Sequence, residues 1–206
     1  LFGKVKVWEV GGEVGRWKCK QTIDDRFDRV WTMAFSPDGK MLATGSWDET
    51  IKLYDVTNDF SCMHTLEVER DLVRILTFSP DSKRLYSGGK VKAFQQWDAI
   101  EGTLLKTVRL IHRGNITYAT HSPHRNLIAT CGSKDKRVKI WDATTMELLH
   151  MYEKENSSGS IDFNPVAPFL LVAGSSDNSV RLTDISEVMK MSAEERASRA
   201  LKTSMG

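Results

Sequence analysis

Stretches in which apolar and polar residues alternate recur along the chain: "VKVWEV" (5–10), "TIKLYDV" (50–56), "AFQQWDA" (93–99), "RVKIWDA" (137–143) and "SVRLTDI" (179–185). A period of two sends successive side chains to opposite faces, which predicts short strands rather than helices. Around one of them the pattern is complete. "VWTMAF" (30–35) leads into a Ser-Pro-Asp-Gly turn, then come "KMLATGS" (40–46), a polar turn, "TIKLYDV", a polar linker and "SCMHTLEV" (61–68). That succession predicts four short strands joined by hairpins.

The unit repeats. The dipeptides "YD" (54–55), "WD" (97–98), "WD" (141–142) and "TD" (183–184) are 43, 44 and 42 residues apart, and a "WE" at 8–9 opens the series. The prolines of "FSPDGK" (35–40), "FSPDSK" (78–83), "HSPHRN" (121–126) and "FNPVAP" (163–168) keep the same beat, at 43, 43 and 42. Gly-Ser or Gly-Gly pairs precede each later dipeptide, in "ATGSWD", "YSGGKV", "ATCGSKD" and "VAGSSD". A four-stranded unit this small cannot bury both faces alone and must stack on its neighbours.

These coincident markers resemble the WD-repeat β-propeller family over about residues 4–185. The resemblance implies an all-β fold with about four blades' worth of four-stranded antiparallel sheet. The expected divisions are a partial blade over 1–25, blades over about 26–68, 69–111, 112–155 and 156–185, and a C-terminal helix or linker over 186–206. In that last segment Ser192 and Glu195 have capping-box spacing, and Met189, Ala193, Ala197, Ala200 and Leu201 share one helical face. The count is about seventeen strands, whereas closed propellers of the family usually have seven or eight blades. Together with Leu1 in place of Met, this leads us to expect a part of a longer polypeptide, with closure at about four blades as the alternative.

The resemblance also implies a polar network in each well-formed blade: a His before the first strand, a Ser or Thr on the second, a turn Asp and the Trp of the third. Residues 112–142 fit it most fully, with His112, Ser133 or Cys131, Asp135 and Trp141. In the blade of 26–68 the His position aligns with Arg26 and the Trp with Tyr54, while Asp48 is kept. In the blade of 69–111 these positions hold Glu69 and Val91, and the last repeat keeps Asp177 with Thr183 in place of Trp. The blade of 69–111 is therefore expected to be less rigid.

Composition narrows the chemistry. Lys and Arg number 29 against 27 Asp and Glu, so no field singles out nucleic acid or anionic lipid as partner. Three widely spaced cysteines, Cys19, Cys62 and Cys131, argue against a disulfide framework and point to a reducing compartment, cytoplasm or nucleus. There is no membrane-length apolar run, no GxxxxGK[ST] loop, no GxSxG elbow and no HExxH. His121 and His124 of "HSPH" are the nearest approach to a metal site, and both are explained as local replacements of a Phe and a turn Asp. No enzyme, metal or cofactor is expected.

In the family, two positions per blade open onto the rim of the central channel. By resemblance they fall here on Trp31, Arg74, Thr117 and Gly159, and on Trp47, Lys90, Lys134 and Ser176. Trp31 and Trp47 share a blade, with Arg26 and Phe27 in the adjoining loop. Aromatic and Arg side chains dominate binding energy at protein interfaces. The sequence thus predicts a scaffold or adaptor binding other proteins. The alternative is a ribonucleoprotein component using Arg74, Lys90, Arg113 and Lys134 around a basic channel mouth.

Overall fold

The computed structural model describes residues 3–11, 17–26, 28–68, 71–90, 93–109, 111–134, 136–153, 158–166, 169–174 and 180–186. Phe27, Asp135, Ser176, Asp177 and the helix expected beyond residue 186 lie outside them. Five antiparallel sheets follow one another along the chain, each ordered as its strands occur in sequence. The first pairs β1 (Val5–Val10) with β2 (Trp17–Ile23). The second contains β3 (Val30–Phe35), β4 (Met41–Ser46), β5 (Thr50–Asp55) and β6 (Ser61–Glu67). The third contains β7 (Val73–Phe78), β8 (Arg84–Gly89), β9 (Phe94–Asp98) and β10 (Thr103–Val108). The fourth contains β11 (Ile116–His121), β12 (Leu127–Gly132), β13 (Arg137–Asp142) and β14 (Leu148–Glu153). The fifth contains β15 (Ser158–Phe163), β16 (Phe169–Gly174) and β17 (Val180–Asp184).

The first strands β3, β7, β11 and β15 pack side by side, so the sheets radiate from a common inner edge. The core is divided accordingly into layers between successive sheets. Ile51, Leu53, Val73 and Leu85 fill the layer between the second and third. Ile75, Phe94, Ile116 and Trp141 fill the next, and Leu127, Ile140, Ile161 and Phe163 the one after. Burial of one such aliphatic side chain contributes about 1.5–3 kcal/mol, so each layer depends on both of its sheets.

Two turns recur. Between the first and second strands, the Ser36 hydroxyl donates to Asp38 Oδ1 at 2.6 Å and the Lys40 amide donates to the same oxygen, while Gly39 takes the left-handed φ of 72° that closes the hairpin. Ser79 and Asp81 repeat the arrangement, with Ser82 in the left-handed position at φ 61°. The Asp of each of the four later dipeptides starts the turn after the third strand. Asp55 Oδ1 accepts from the Thr57 amide, Asp98 from Ile100, Asp142 from Thr144 and Asp184 from Ser186, all at 2.8–2.9 Å. The recurring acid is thus a turn former.

Candidate interaction surface

His112 and Trp141 meet at one hydroxyl in the fourth sheet, with one correction to the expected network. His112 Nε2 hydrogen-bonds Thr130 Oγ1 at 2.9 Å, and Trp141 Nε1 donates to the same oxygen at 2.8 Å. Thr130, not Ser133 or Cys131, is the second-strand hydroxyl. Side chains alternate along β12, so Thr130 shares the Trp141 face through the Ile128–Trp141 pairing, and its neighbours of opposite parity do not. Ser133 instead accepts from the Asn115 amide at 3.1 Å. A Cβ on Gly132 would come within 2.7 Å of the His112 ring, so the glycine makes room for the imidazole.

Arg26 requires a second correction. Expected in a partner-facing loop, it is 7% exposed, and its guanidinium lies inside the second sheet. It donates to Asp48 Oδ1 at 3.2 Å, to the Thr44 carbonyl and hydroxyl, and to Thr50. Asp48 also accepts from the Thr50 amide and hydroxyl. Thr44 holds the strand position of Thr130, so Arg26 stands in for His112 and is structural. Tyr54, in the place of Trp141, turns its hydroxyl to Asp25 Oδ1 at 2.8 Å, and Lys52 pairs with the same carboxylate at 2.9 Å. In the third sheet Trp97 Nε1 donates to Ser87 Oγ at 2.9 Å. The buried Asp71 lies against Gly89 there.

With Arg26 withdrawn, the surface is led by the two tryptophans. Trp31 is the second residue of β3 and Trp47 occupies the turn between β4 and β5, and the strand pairing brings both to one end of the second sheet. Their rings stack at 5.4 Å between centroids and 20° between planes. A cation covers each outer face of the pair. The Arg29 guanidinium carbon stands 5.2 Å from the Trp47 centroid, and that of Arg74, from the neighbouring sheet, 5.2 Å from the Trp31 centroid. The result is a four-layer stack of Arg29, Trp47, Trp31 and Arg74. Trp31 remains 50% exposed, and Trp47 is half-buried. Trp47 Nε1 has no hydrogen-bond acceptor among the described residues.

Arg29 was not among the residues expected here. The Trp47 amide donates to the Arg29 carbonyl at 3.0 Å, and one residue separates Arg29 from Trp31 along the chain. Lys90, Arg113 and Lys134 are exposed, as a rim position requires, but none joins the stack. Arg74 does join it, which removes one member from the basic set.

Met33 and Phe35 extend the exposed apolar row along β3, at 56% and 57%. Their counterparts in the third sheet, Leu76 and Phe78, are 8% and 5% exposed. Val5 and Ile23 of the two-stranded first sheet pack on Leu42 and Tyr54, and among the described residues no strand covers β3 on that side.

The family described as "WD domain, G-beta repeat" matches residues 17–55, 102–142 and 147–184, more than half of the chain. The chain belongs to the WD-repeat family. Like other WD-repeat propellers, it has a fold that generally serves protein interaction and is generally non-enzymatic. It is 28% identical over 166 residues to the WD repeat-containing protein 26 homolog of Arabidopsis thaliana, covering 80% of this chain and 21% of that protein. It is 29% identical over 93 residues to Eukaryotic translation initiation factor 3 subunit I of Candida glabrata, covering 45% of this chain and 26% of that protein. The chain spans about a quarter or less of the curated relatives it matches. Among solved structures it resembles a chain of the "Crystal Structure of Mitotic Checkpoint Complex", with a TM-score of 0.74 and 23% identity, over 81% of this chain and 53% of that one. That likeness concerns the fold. Among the described residues no helix is long and apolar enough to cross a membrane, and no group of His, Cys, Asp and Glu is arranged to hold a metal ion.

Proposed function

We propose that this WD-repeat segment is a non-enzymatic scaffold or adaptor, and that a partner protein docks on the Arg29–Trp47–Trp31–Arg74 stack. The observation that carries this reading is the stack itself: two aromatic rings held in a fixed geometry by flanking guanidinium groups, with Trp31 half open to solvent. Ordering such side chains before binding lowers the entropy lost when a partner covers them. Trp and Arg at the centre of a contact are the types whose truncation costs most affinity. One relative is named as a subunit of a translation initiation factor, in keeping with a role inside an assembly.

The test is Trp47→Ala, assayed by melting curve and by capture of the partner identified through affinity purification of the whole polypeptide. Removing the ring forfeits two stacking contacts of about 0.5–1.5 kcal/mol each, well below the 3–5 kcal/mol of a truncated core aromatic. Capture is expected to weaken at least tenfold. Folded Trp47→Ala protein that captures its partner as well as wild type would end the proposal. Affinity that collapses between 50 and 200 mM salt would instead assign the surface to phosphates and to the exposed Lys90, Arg113 and Lys134.

A further inference from the structure

At the opposite ends of the strands from the tryptophan pair, a groove of about 400 Å³ opens between the third and fourth sheets. Its lining includes Asp81, Arg84, Tyr86, His121, His124 and Arg125. Alignment of the repeats shows how unusual that set is. Arg84 stands where β4 and β12 have Met41 and Leu127, and Tyr86 where they have Ala43 and Ala129. His121 replaces the Phe of the other three repeats, and Arg125 falls where the preceding turns carry Gly39 and Ser82. Four departures, each from a small or apolar residue or a turn former to a ring or a cation with hydrogen-bonding groups, converge on one junction.

The preceding junction shows what the departures change. Between the second and third sheets the Asp38 amide donates to Ser82 Oγ at 3.2 Å, tying the two turns together. With Arg125 in the Ser82 position the equivalent tie has no hydroxyl, and the groove lies between the turns. Among the described residues neither the Arg84 nor the Arg125 guanidinium makes a hydrogen bond, though, with the Ser79 hydroxyl, the Arg84 charge helps hold the Asp81 carboxyl below its ordinary pKa. Asp81 is committed to its turn, accepting from the Ser79 hydroxyl at 2.5 Å and the Lys83 amide at 3.1 Å. His121 Nδ1 donates to the Ser122 carbonyl at 2.9 Å, its ring is 5.8 Å from that of Tyr86, and burial holds it below its ordinary pKa.

We propose that this groove binds a phosphate monoester, with the Arg84 and Arg125 guanidinium groups as the principal contacts. A guanidinium presents paired donors that match two phosphate oxygens, and two of them suit a dianion better than a single carboxylate. The volume exceeds what a phosphate alone occupies, and Pro80 and Pro123 supply apolar wall for the carbon skeleton carrying it. The phosphate comes either on a side chain of a partner protein or on a small metabolite. The site is independent of the tryptophan surface.

The experiment is an NMR-detected titration of the full chain with inorganic phosphate, a phosphoserine peptide otherwise made of Gly and Ala, and glucose 6-phosphate. Saturable shifts are expected at the amides of residues 79–86 and 121–126. Arg84→Met and Arg125→Ser restore residues that the sister repeats carry, so the fold should accept them, and each is expected to weaken binding at least tenfold. Arg125→Glu, at an exposed turn, is the second variant should either melt early. Trp47→Ala is expected to bind as wild type. Tighter binding of the peptide assigns a phosphorylated partner, and tighter binding of the sugar phosphate a metabolite. Absence of saturation by all three probes, or binding that Arg84→Met and Arg125→Ser leave unchanged, overturns the proposal.

Discussion

The second and fourth sheets share a backbone plan but satisfy their buried polar groups differently. In the fourth, the short ring of His112 and the indole of Trp141 meet at one hydroxyl, Thr130. In the second, the equivalent hydroxyl of Thr44 is met by Arg26, whose longer side chain continues to Asp48 and Thr50, while Tyr54 is released to bond Asp25. Burial raises the Tyr54 pKa, which keeps the phenol neutral and donating. The framework therefore requires that the second-strand hydroxyl be satisfied, whatever side chain does so. The risk is plainest in the second sheet, where loss of the guanidinium leaves the carboxylate of Asp48 without its counter-charge.

The largest expected effect follows from that contrast. Arg26→Ala is expected to cost about 3–5 kcal/mol, the usual consequence of breaking a buried ion pair on one side. Denaturant titration measures it, and a loss smaller than that of His112→Ala would show that the two networks are ranked wrongly. His112→Ala comes next, at roughly 1–3 kcal/mol, through the orphaned Thr130 and its partners. It should exceed His64→Ala, whose ring bonds the Ile100 carbonyl at an exposed site. A greater cost at His64 would place the decisive contact outside the network.

Acid sharpens the comparison with a smaller effect. Asp25, Asp38 and Asp55 belong to the second sheet and its turns, and all are held below the ordinary 3.8. For Asp25, burial acts upward and is outweighed by the bonds from Lys52 and Tyr54; for Asp38 and Asp55 the leading causes are the hydroxyls of Ser36 and Thr57. A depressed carboxylate contributes stability above its unfolded value that is lost as pH falls through its folded one. The fourth sheet has His124 where the second has Asp38. Amide exchange should therefore accelerate first in β3–β6 as the pH is lowered from about 5 to 3. Simultaneous loss of protection in β11–β14 would mean that the turn carboxylates do not set the order.

Much of the fold was legible because period-two alternation, the Ser-Pro-Asp turn and the recurring acid are local signals that the backbone obeys. The networks were only half legible. The resemblance offered Ser133 or Cys131 for the hydroxyl, whereas the strand pairing puts Thr130 on the Trp141 face. Arg26 aligned with the family His yet carries a residue type usually found at the surface, and its burial depends on Asp48, Thr44 and Thr50 converging in three dimensions. The tryptophan pair could be placed at one end of one sheet from sequence. Arg29 could not, because its position over Trp47 depends on where the β4–β5 turn folds back.

Every strand in these sheets pairs with its immediate neighbours in sequence, from β3–β4–β5–β6 through to β15–β16–β17. Ladder formation therefore closes only short loops and carries little of the loop entropy that slows proteins built from distant pairings. Docking of one sheet on the next is the step that completes each apolar layer, so the molecule behaves as a row of coupled units in which order spreads from whichever hairpin stack forms first. A tension applied along the chain would peel these units away in sequence, and the weakest coupling between neighbours, rather than the total stability, would set the force at which the first is lost.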